Sequence, residues 1–358
     1  METGSEGVPA TPAQGVHVIR IGFVGVGSMG QCAHLKHYAS LAGCQVAAIA
    51  EPRTQLAQKV AARYGVARVY ADATSMIETE RLDALVAIQR FEQHGSVVLP
   101  LYRFGLPILT EKPLASSVPV GEQMLAALAQ GGSWHMVGYH KRSDPATAMA
   151  VREIAKLKDS KELGPLRYVR ITMPEGDWIA GGFDQLLTTD EPPPDLPLDP
   201  PPPGMDSQTF QRYVSFVNYY IHQVNLMRLL LGEPYRVVFA ESSQTVMVVQ
   251  SESGIAGVLE MSPYKTTLGW DETALVGFDR GYVRIGFHAP LASAPGVLEI
   301  GRDNRVTRIE LEQVSAMRRQ AMNFVAAVRG EAKPPCEAHE ALQDLRVAED
   351  YVRQSSRL

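Results

Sequence analysis

The sequence predicts an α/β domain followed by an α+β domain: an N-terminal Rossmann parallel sheet, then a C-terminal domain with a large, mainly antiparallel open sheet. Three observations support this. A glycine-rich turn closes the first β-branched run, strand-like and helix-like segments alternate up to about residue 113, and period-2 runs dominate from Leu166 onward. The length of 358 residues also favours two domains, because single cores stop growing near about 250–300 residues.

In order along the chain, residues 18–26 (VIRIGFVGV) read as a strand buried on both faces, and 31–42 as a helix. Residues 45–50 return as a strand, completing a β-α-β unit. The pattern continues with a helix over 55–64, a short strand over 68–70 and a helical stretch over 75–79. A strand at 84–88 (ALVAI), a helix over 94–104 and a strand at 107–110 lead into Glu111-Lys112-Pro113. The character changes near 137–145. Period-2 runs follow at 166–172, 236–239, 245–250, 257–261, 274–277 and 282–287, interrupted by helices over 211–231 and 338–353. Residues 191–204 (EPPPDLPLDPPPPG) can form neither a helix nor a central strand and read as an ordered coil or polyproline loop. The expected organisation is a disordered tail over 1–16, a dinucleotide-binding domain over 17–142, and a substrate-binding and oligomerisation domain over 143–358.

Composition excludes several functions. The formal charge of −5 and the absence of a Lys/Arg run argue against a nucleic-acid partner. No apolar run reaches the roughly 18–20 residues of a membrane helix, and residues 1–16 lack the basic start and apolar core of a secretory signal. Three cysteines without a Cys-x-x-Cys spacing suit reduced thiols, and no metal site is expected. A cytoplasmic setting follows as the expectation.

Gly25-x-Gly27-x-x-Gly30 has the spacing of a dinucleotide fingerprint and the required context, after a strand and before a helix. Gly25 permits the tight turn, Gly27 the approach of backbone to pyrophosphate, and Gly30 the packing of helix on strand. Ser28 and Met29 lie within the turn. Glu51 ends the second strand, where a carboxylate accepts hydrogen bonds from ribose hydroxyls and repels a 2′-phosphate, which favours NAD. Arg53, two residues on, keeps NADP open, because a guanidinium can pair with a 2′-phosphate.

The fingerprint, Glu111-Lys112-Pro113, and residues 138–145 (GYHKRSDP) together resemble the landmarks of the glucose–fructose oxidoreductase / inositol dehydrogenase / rhizopine-catabolism (Gfo/Idh/MocA) family. Leu163-Gly164-Pro165, Trp270-Asp271-Glu272 with Gly277 and Gly281, and the closing stretch from Asn323-Phe324 to Arg329-Gly330 extend the resemblance from about Ile19 to Val352. It implies that Lys112 reaches the nicotinamide and the reacting hydroxyl, with Glu111 beside the cofactor and a Lys112–Pro113 bond that is often cis. It implies further that His222, on a helix of the second domain, handles the hydroxyl proton.

In relatives His222 lies within an Asp-x-x-x-His-x-x-Asp pattern. Here both acidic positions are amides, Asn218 and Asn225. A neutral amide does not raise the pKa of Lys112 as a carboxylate would. The Asn218 carbonyl is expected to orient His222 across one helical turn. Gln89, Phe91 and His94 stand where relatives carry Thr-Pro-Asn-x-x-His, and only His94 matches, so Gln89 and His94 are expected at the cofactor. His140 and Arg142 lie at the domain crossing, and Arg142 is expected to touch substrate. Trp178, between Asp177 and Asp184, suits stacking on a sugar ring, and Tyr219 joins the expected substrate contacts.

The resemblance therefore implies an NAD(P)-dependent oxidoreductase acting on a secondary alcohol of a sugar, inositol or glycoside, assembled as a homodimer or homotetramer. Two alternatives stand beside it. One is a glycoside lyase or glycosidase that recycles a tightly bound NAD; the other is a catalytically weak dinucleotide-binding sensor or scaffold, which the Asn218 replacement favours.

Overall fold

The structure is a computed structural model that describes residues 17–261 and 269–356; the tail expected over 1–16 lies outside the described residues. The first sheet contains β1 (Ile19–Val24), β2 (Cys44–Ala50), β3 (Val69–Tyr70), β4 (Ala84–Ala87), β5 (Ile108–Thr110) and β6 (His135–Val137). All pair in parallel in the order β3-β2-β1-β4-β5-β6. Strand order reverses between β1 and β4, and in such sheets ligands bind outside the carboxyl ends at that reversal. Every residue of β4 is buried, as is all of β1 except Arg20, matching the apolar runs that predicted them.

Connecting segments show where local chemistry overrides periodicity. The first helix begins in the glycine turn, widens to π-type over Gly30–Leu35, and ends as α1 (Lys36–Tyr38), short of the expected residue 42. The Ser40 hydroxyl donates to the carbonyls of Lys36 and His37, and the chain then turns through Gly43 at φ +71°. After α2 (Thr54–Tyr64) and α3 (Ala73–Thr79), the expected 94–104 helix divides into α4 (His94–Val98) and a 3₁₀ stretch, Leu99–Phe104. Pro100 supplies no N–H to continue an α-helix. Three elements beyond those expected follow: α5 (Val118–Gly131), β6, and, after the short α6 (His140–Ser143), α7 (Pro145–Ser160).

The second sheet contains eight strands: β7 (Leu166–Thr172), β8 (Tyr235–Ala240), β9 (Val246–Ser251), β10 (Ala256–Glu260), β11 (Glu272–Phe278), β12 (Gly281–Phe287), β13 (Val297–Arg302) and β14 (Arg305–Ile309). The order is β14-β13-β12-β11-β7-β10-β9-β8, antiparallel throughout except where β7 pairs with β10. One face is buried beneath α7 and α8 (Ser207–Leu231), while alternate residues on the other remain partly exposed. Two further helices, α9 (Ala316–Val328) and α10 (Ala338–Ser355), return to the first domain: α9 packs on α6 and α1, and α10 on α5 and α8. No helix among the described residues is long and apolar enough to cross a membrane.

A buried polar cluster fixes α8 against this return. Arg228 bonds Asp344 of α10 through Nε and a terminal nitrogen at 3.0–3.1 Å. Asn225 donates to the second Asp344 oxygen at 2.7 Å and accepts from Arg142 Nε, also at 2.7 Å. Arg142 also donates to Glu340 and to the Pro335 carbonyl, at 2.8 Å each. Arg142 is thus turned into the packing between α6, α8 and α10 and does not reach substrate as expected, because Asn225, Glu340 and Pro335 satisfy its guanidinium. Asn225, with no acid to offer, serves this cluster. Replacing Asp344 with Ala removes the close partner of the buried Arg228 charge and leaves only the Glu340 carboxylate at 3.9 Å, so unfolding free energy should fall by about 3–5 kcal/mol in urea titration; a loss below about 1 kcal/mol contradicts this role.

Candidate active site

The glycine turn is shaped by close approach. Gly25 sits at φ +87°, and a Cβ there would fall 2.5 Å from Gln89 Nε2 and 2.6 Å from the Ile88 carbonyl oxygen. A Cβ on Gly30 would meet the Gly25 carbonyl oxygen at 2.6 Å. At Gly27 the same test finds only an Arg53 nitrogen, at 3.9 Å, so the middle of the turn opens onto the cleft and leaves room for pyrophosphate against bare backbone. This cleft, of about 610 Å³, is also bordered by Ser28, Met29, Glu51, Arg53 and Gln89. These residues fit a dinucleotide.

Glu51 is buried at the end of β2 and accepts the Val26 N–H at 3.0 Å. Arg53 grips the same carboxylate with a fork, Nε at 2.8 Å and a terminal nitrogen at 3.0 Å. The guanidinium weighed above as a 2′-phosphate partner is therefore already paired, and the two charges offset each other.

Met29, Ile88, Gln89 and Arg90 also border a second cavity of about 410 Å³, so the cleft continues into a chamber between the two domains. Lys112 enters it from the end of β5, just before a cis Lys112–Pro113 bond. Its Nζ donates to the backbone carbonyl of Asn218 on α8 at 2.6 Å, joining the first sheet to the helix of the second domain. Burial lowers the pKa of Lys112, and the Lys141 cation lowers it further against the opposing pull of Glu111. Glu111, also at the chamber, is bonded to His34 at 2.6 Å. Burial alone would raise its carboxyl, but the His34 hydrogen bond and nearby Lys112 outweigh that and hold it below the ordinary range.

His222 stands one turn along α8 from Asn218, its ring centroid 4.3 Å from that of His140. Burial drives both imidazoles well below their ordinary pKa; the charges of Lys141, Lys112 and His34 add to the effect at His140, and those of His140, Lys112 and Lys141 at His222. Both are neutral near pH 7. Nδ1 of each ring has no hydrogen-bond partner among the described residues. The expectation that the Asn218 amide orients His222 is not met: its side chain is exposed, and its backbone carbonyl holds Lys112 instead.

The structure brings Met29, Gln89, Glu111, Lys112, Trp178, Asn218, Tyr219 and His222 to the chamber. It places His94 elsewhere: fully buried, with Nδ1 bonding the carbonyls of Pro113 and Leu114 at 3.0 and 3.2 Å, it braces the chain behind Lys112. Sequence reasoning missed Lys141, Gln223 and Glu272. Lys141 Nζ lies 2.5 Å from Glu272 and 4.8 Å from the Phe287 ring centroid, and Gln223 donates to the other Glu272 oxygen at 2.7 Å. Both Lys141 and Glu272 lay inside recognised motifs, 138–145 and Trp270-Asp271-Glu272, but their pairing spans 131 positions.

Residues 19–139 match the model of an oxidoreductase family with an NAD-binding Rossmann fold, GFO_IDH_MocA. The chain is also 25% identical, over 304 residues and 78% of each chain, to scyllo-inositol 2-dehydrogenase (NAD(+)) of Bacillus subtilis. The first domain is thus similar to the NAD-binding domain of the Gfo/Idh/MocA oxidoreductases, and the sequence similarity continues into the second domain. These similarities support an NAD(P)-dependent dehydrogenase. Two solved structures share the fold of the whole chain. An aldose–aldose oxidoreductase of Caulobacter crescentus complexed with glycerol superposes with TM-score 0.71 at 17% identity, covering 95% of this chain and 97% of that one. An oxidoreductase of Agrobacterium radiobacter in complex with NAD+, L-tartaric acid and magnesium gives 0.68 at 13% identity, covering 95% and 96%.

Because Gly25 has both a positive φ and no room for a Cβ, Gly25→Ala should cost at least the roughly 1–3 kcal/mol of a strained backbone. Calorimetric titration with NAD+ should show binding weakened about tenfold or more. Unchanged affinity would contradict the placement of the dinucleotide at this turn.

Proposed function

We propose that this dehydrogenase acts on a secondary alcohol of a sugar, inositol or glycoside, with Lys112 and His222 as its proton-handling pair. The observation that carries the reading is their convergence on one chamber that is continuous with the glycine-turn cleft. When bound there, the nicotinamide supplies the hydride acceptor, or the donor in the reverse direction. Gly25, Ser28, Gly30 and Glu51 hold the dinucleotide, with Met29 and Gln89 at the junction of cleft and chamber. Neutral His222 accepts the hydroxyl proton, which its low pKa lets it pass on readily. Lys112 hydrogen-bonds the same oxygen and stabilises the negative charge that grows on it. Trp178, Tyr219 and Trp270 offer ring faces suited to the C–H face of a cyclic polyol, and the exposed Asn218 amide suits a hydroxyl.

The names of the relatives support the substrate class: an inositol dehydrogenase by sequence and a sugar oxidoreductase by fold. The assembly belongs to the same reading, as a cytoplasmic homodimer or homotetramer. The half-exposed face of the second sheet, with Phe239 49% and Val306 58% exposed on its edge strands, is supporting evidence.

A panel of inositols, aldoses and glycosides with NAD+ and NADP+, followed at the absorbance of reduced nicotinamide, tests the proposal. At least one polyol should turn over, and Lys112→Ala should lower its kcat/KM about 10²–10⁴-fold. Dinucleotide binding without turnover of any substrate would favour the sensor reading. Asn218→Asp adds a carboxylate beside Lys112 and His222, which raises the pKa of both. His222, the base of the pair, then stays protonated to higher pH, so the acid limb of the kcat/KM profile should move upward; an unmoved limb contradicts the assigned roles.

A further inference from the structure

The proline-rich segment between β7 and α8 lies across the first domain. On one side of the sheet reversal, Gln31 and Leu187 exchange two hydrogen bonds of 3.1 Å each, side-chain amide against backbone. Glu191 then places its carboxylate at the start of α2, accepting the N–H groups of Gln55 and Leu56 at 3.1 and 3.0 Å. On the other side, Asp199 accepts the N–H groups of Gly95 and Ser96 at 2.6 and 2.8 Å, and its own N–H donates to the Glu92 carbonyl at 2.6 Å. The fit there is close: a Cβ on Gly95 would lie 2.8 Å from an Asp199 oxygen. Ser96 and Ser116 hydroxyls then hold the carbonyls of Pro197 and Pro200, at 2.8 and 3.0 Å.

Helix α2 follows β2, whereas Gly95 and Ser96 follow β4, so the two sets of anchors stand on opposite sides of β1 and its glycine turn. Between them, Pro193, Pro194 and Leu196 border the same 610 Å³ cleft as Gly25, Gly27 and Glu51. The span is stiff as well as tethered. Eight of the thirteen residues from Glu191 to Pro203 are proline, which fixes φ and favours extended chain over collapse.

We propose that residues 185–203 form a bridge over the dinucleotide cleft, latched by Glu191 and Asp199, which keeps the cofactor bound from one turnover to the next. The proposal rests on the reading that this cleft binds a dinucleotide. A nucleotide seated on the glycine turn lies beneath a roof pinned at both ends, and it leaves only when a latch opens. Each latch is a carboxylate on two backbone N–H groups, a charge-assisted arrangement that a neutral amide reproduces weakly. Pro193, Pro194 and Leu196 are then cofactor-contacting residues supplied by the second domain, which the glycine fingerprint does not reveal.

The test compares the full-length wild type with the double variant Glu191→Gln, Asp199→Asn and with each single substitution. Each protein is loaded with a fluorescent etheno analogue of NAD+ and chased with excess NAD+. Nucleotide retained after desalting is measured by chromatography of an acid extract, and a thermal melt monitors folding. The wild type should keep close to one nucleotide per chain through desalting. The double variant should release it at least tenfold faster, with the single variants between. Equal release rates in the wild type and in every variant that melts like it would overturn the bridge. Failure of the wild type to bind either nucleotide would instead remove the dinucleotide reading beneath it.

Discussion

Lys141 and Glu272 form an ion pair buried to within 4% of full enclosure, 2.5 Å apart, with Gln223 on the second carboxylate oxygen and the indole of Trp270 on the first. This pair sets the charge of the chamber. Two lysines project into it, and three carboxylates at or beside it are each paired, Glu272 with Lys141, Glu111 with His34 and Glu92 with Arg90. With Asn at position 218, no carboxylate among the described residues hydrogen-bonds Nδ1 of either imidazole. His140 and His222 are therefore held neutral by burial and by the cations around them. A site so arranged is ready to receive a proton and poor at keeping one.

The scaffold keeps these groups apart in sequence and together in space. Lys112 rides on β5 of the first sheet, Lys141 on the crossing helix α6, Glu272 at the start of β11, and His222 on α8. The bond from Lys112 to the Asn218 carbonyl ties the first domain to α8 directly. Behind α8, the cluster of Arg142, Asn225, Arg228 and Asp344 holds the same helix in register with α10. His222 is thus positioned by contacts on both sides of its helix without a hydrogen bond to its own Nδ1.

Much of this was legible in the sequence where the cause is local. The glycine turn, the buried strands and the Glu111-Lys112-Pro113 landmark each depend on a few consecutive residues, and each lies as expected. The start of α7 was also available, since Asp144-Pro145 is an N-cap followed by proline at the first helical position. Strand β14 was not: nearly all its residues are exposed, so it carries no apolar face to read. Partners distant in the chain were hidden for a different reason. Arg142 looked like a substrate ligand because of its place at the domain crossing; Asn225, Pro335 and Glu340, which satisfy it, are brought to it only by folding. The same holds for Arg53, whose role changed once its fork closed on Glu51.

The charge state of the two imidazoles is the point on which the account turns. Nitrogen-15 NMR of the nine histidines between pH 5 and 8, with His140→Gln and His222→Gln to assign the two rings, reads it directly. Both rings should titrate with midpoints well below the ordinary value near 6.5. If His222 instead protonates near or above that value, the burial and surrounding cations do not set its charge, and the account of the chamber built on Lys112, Lys141 and His140 does not stand.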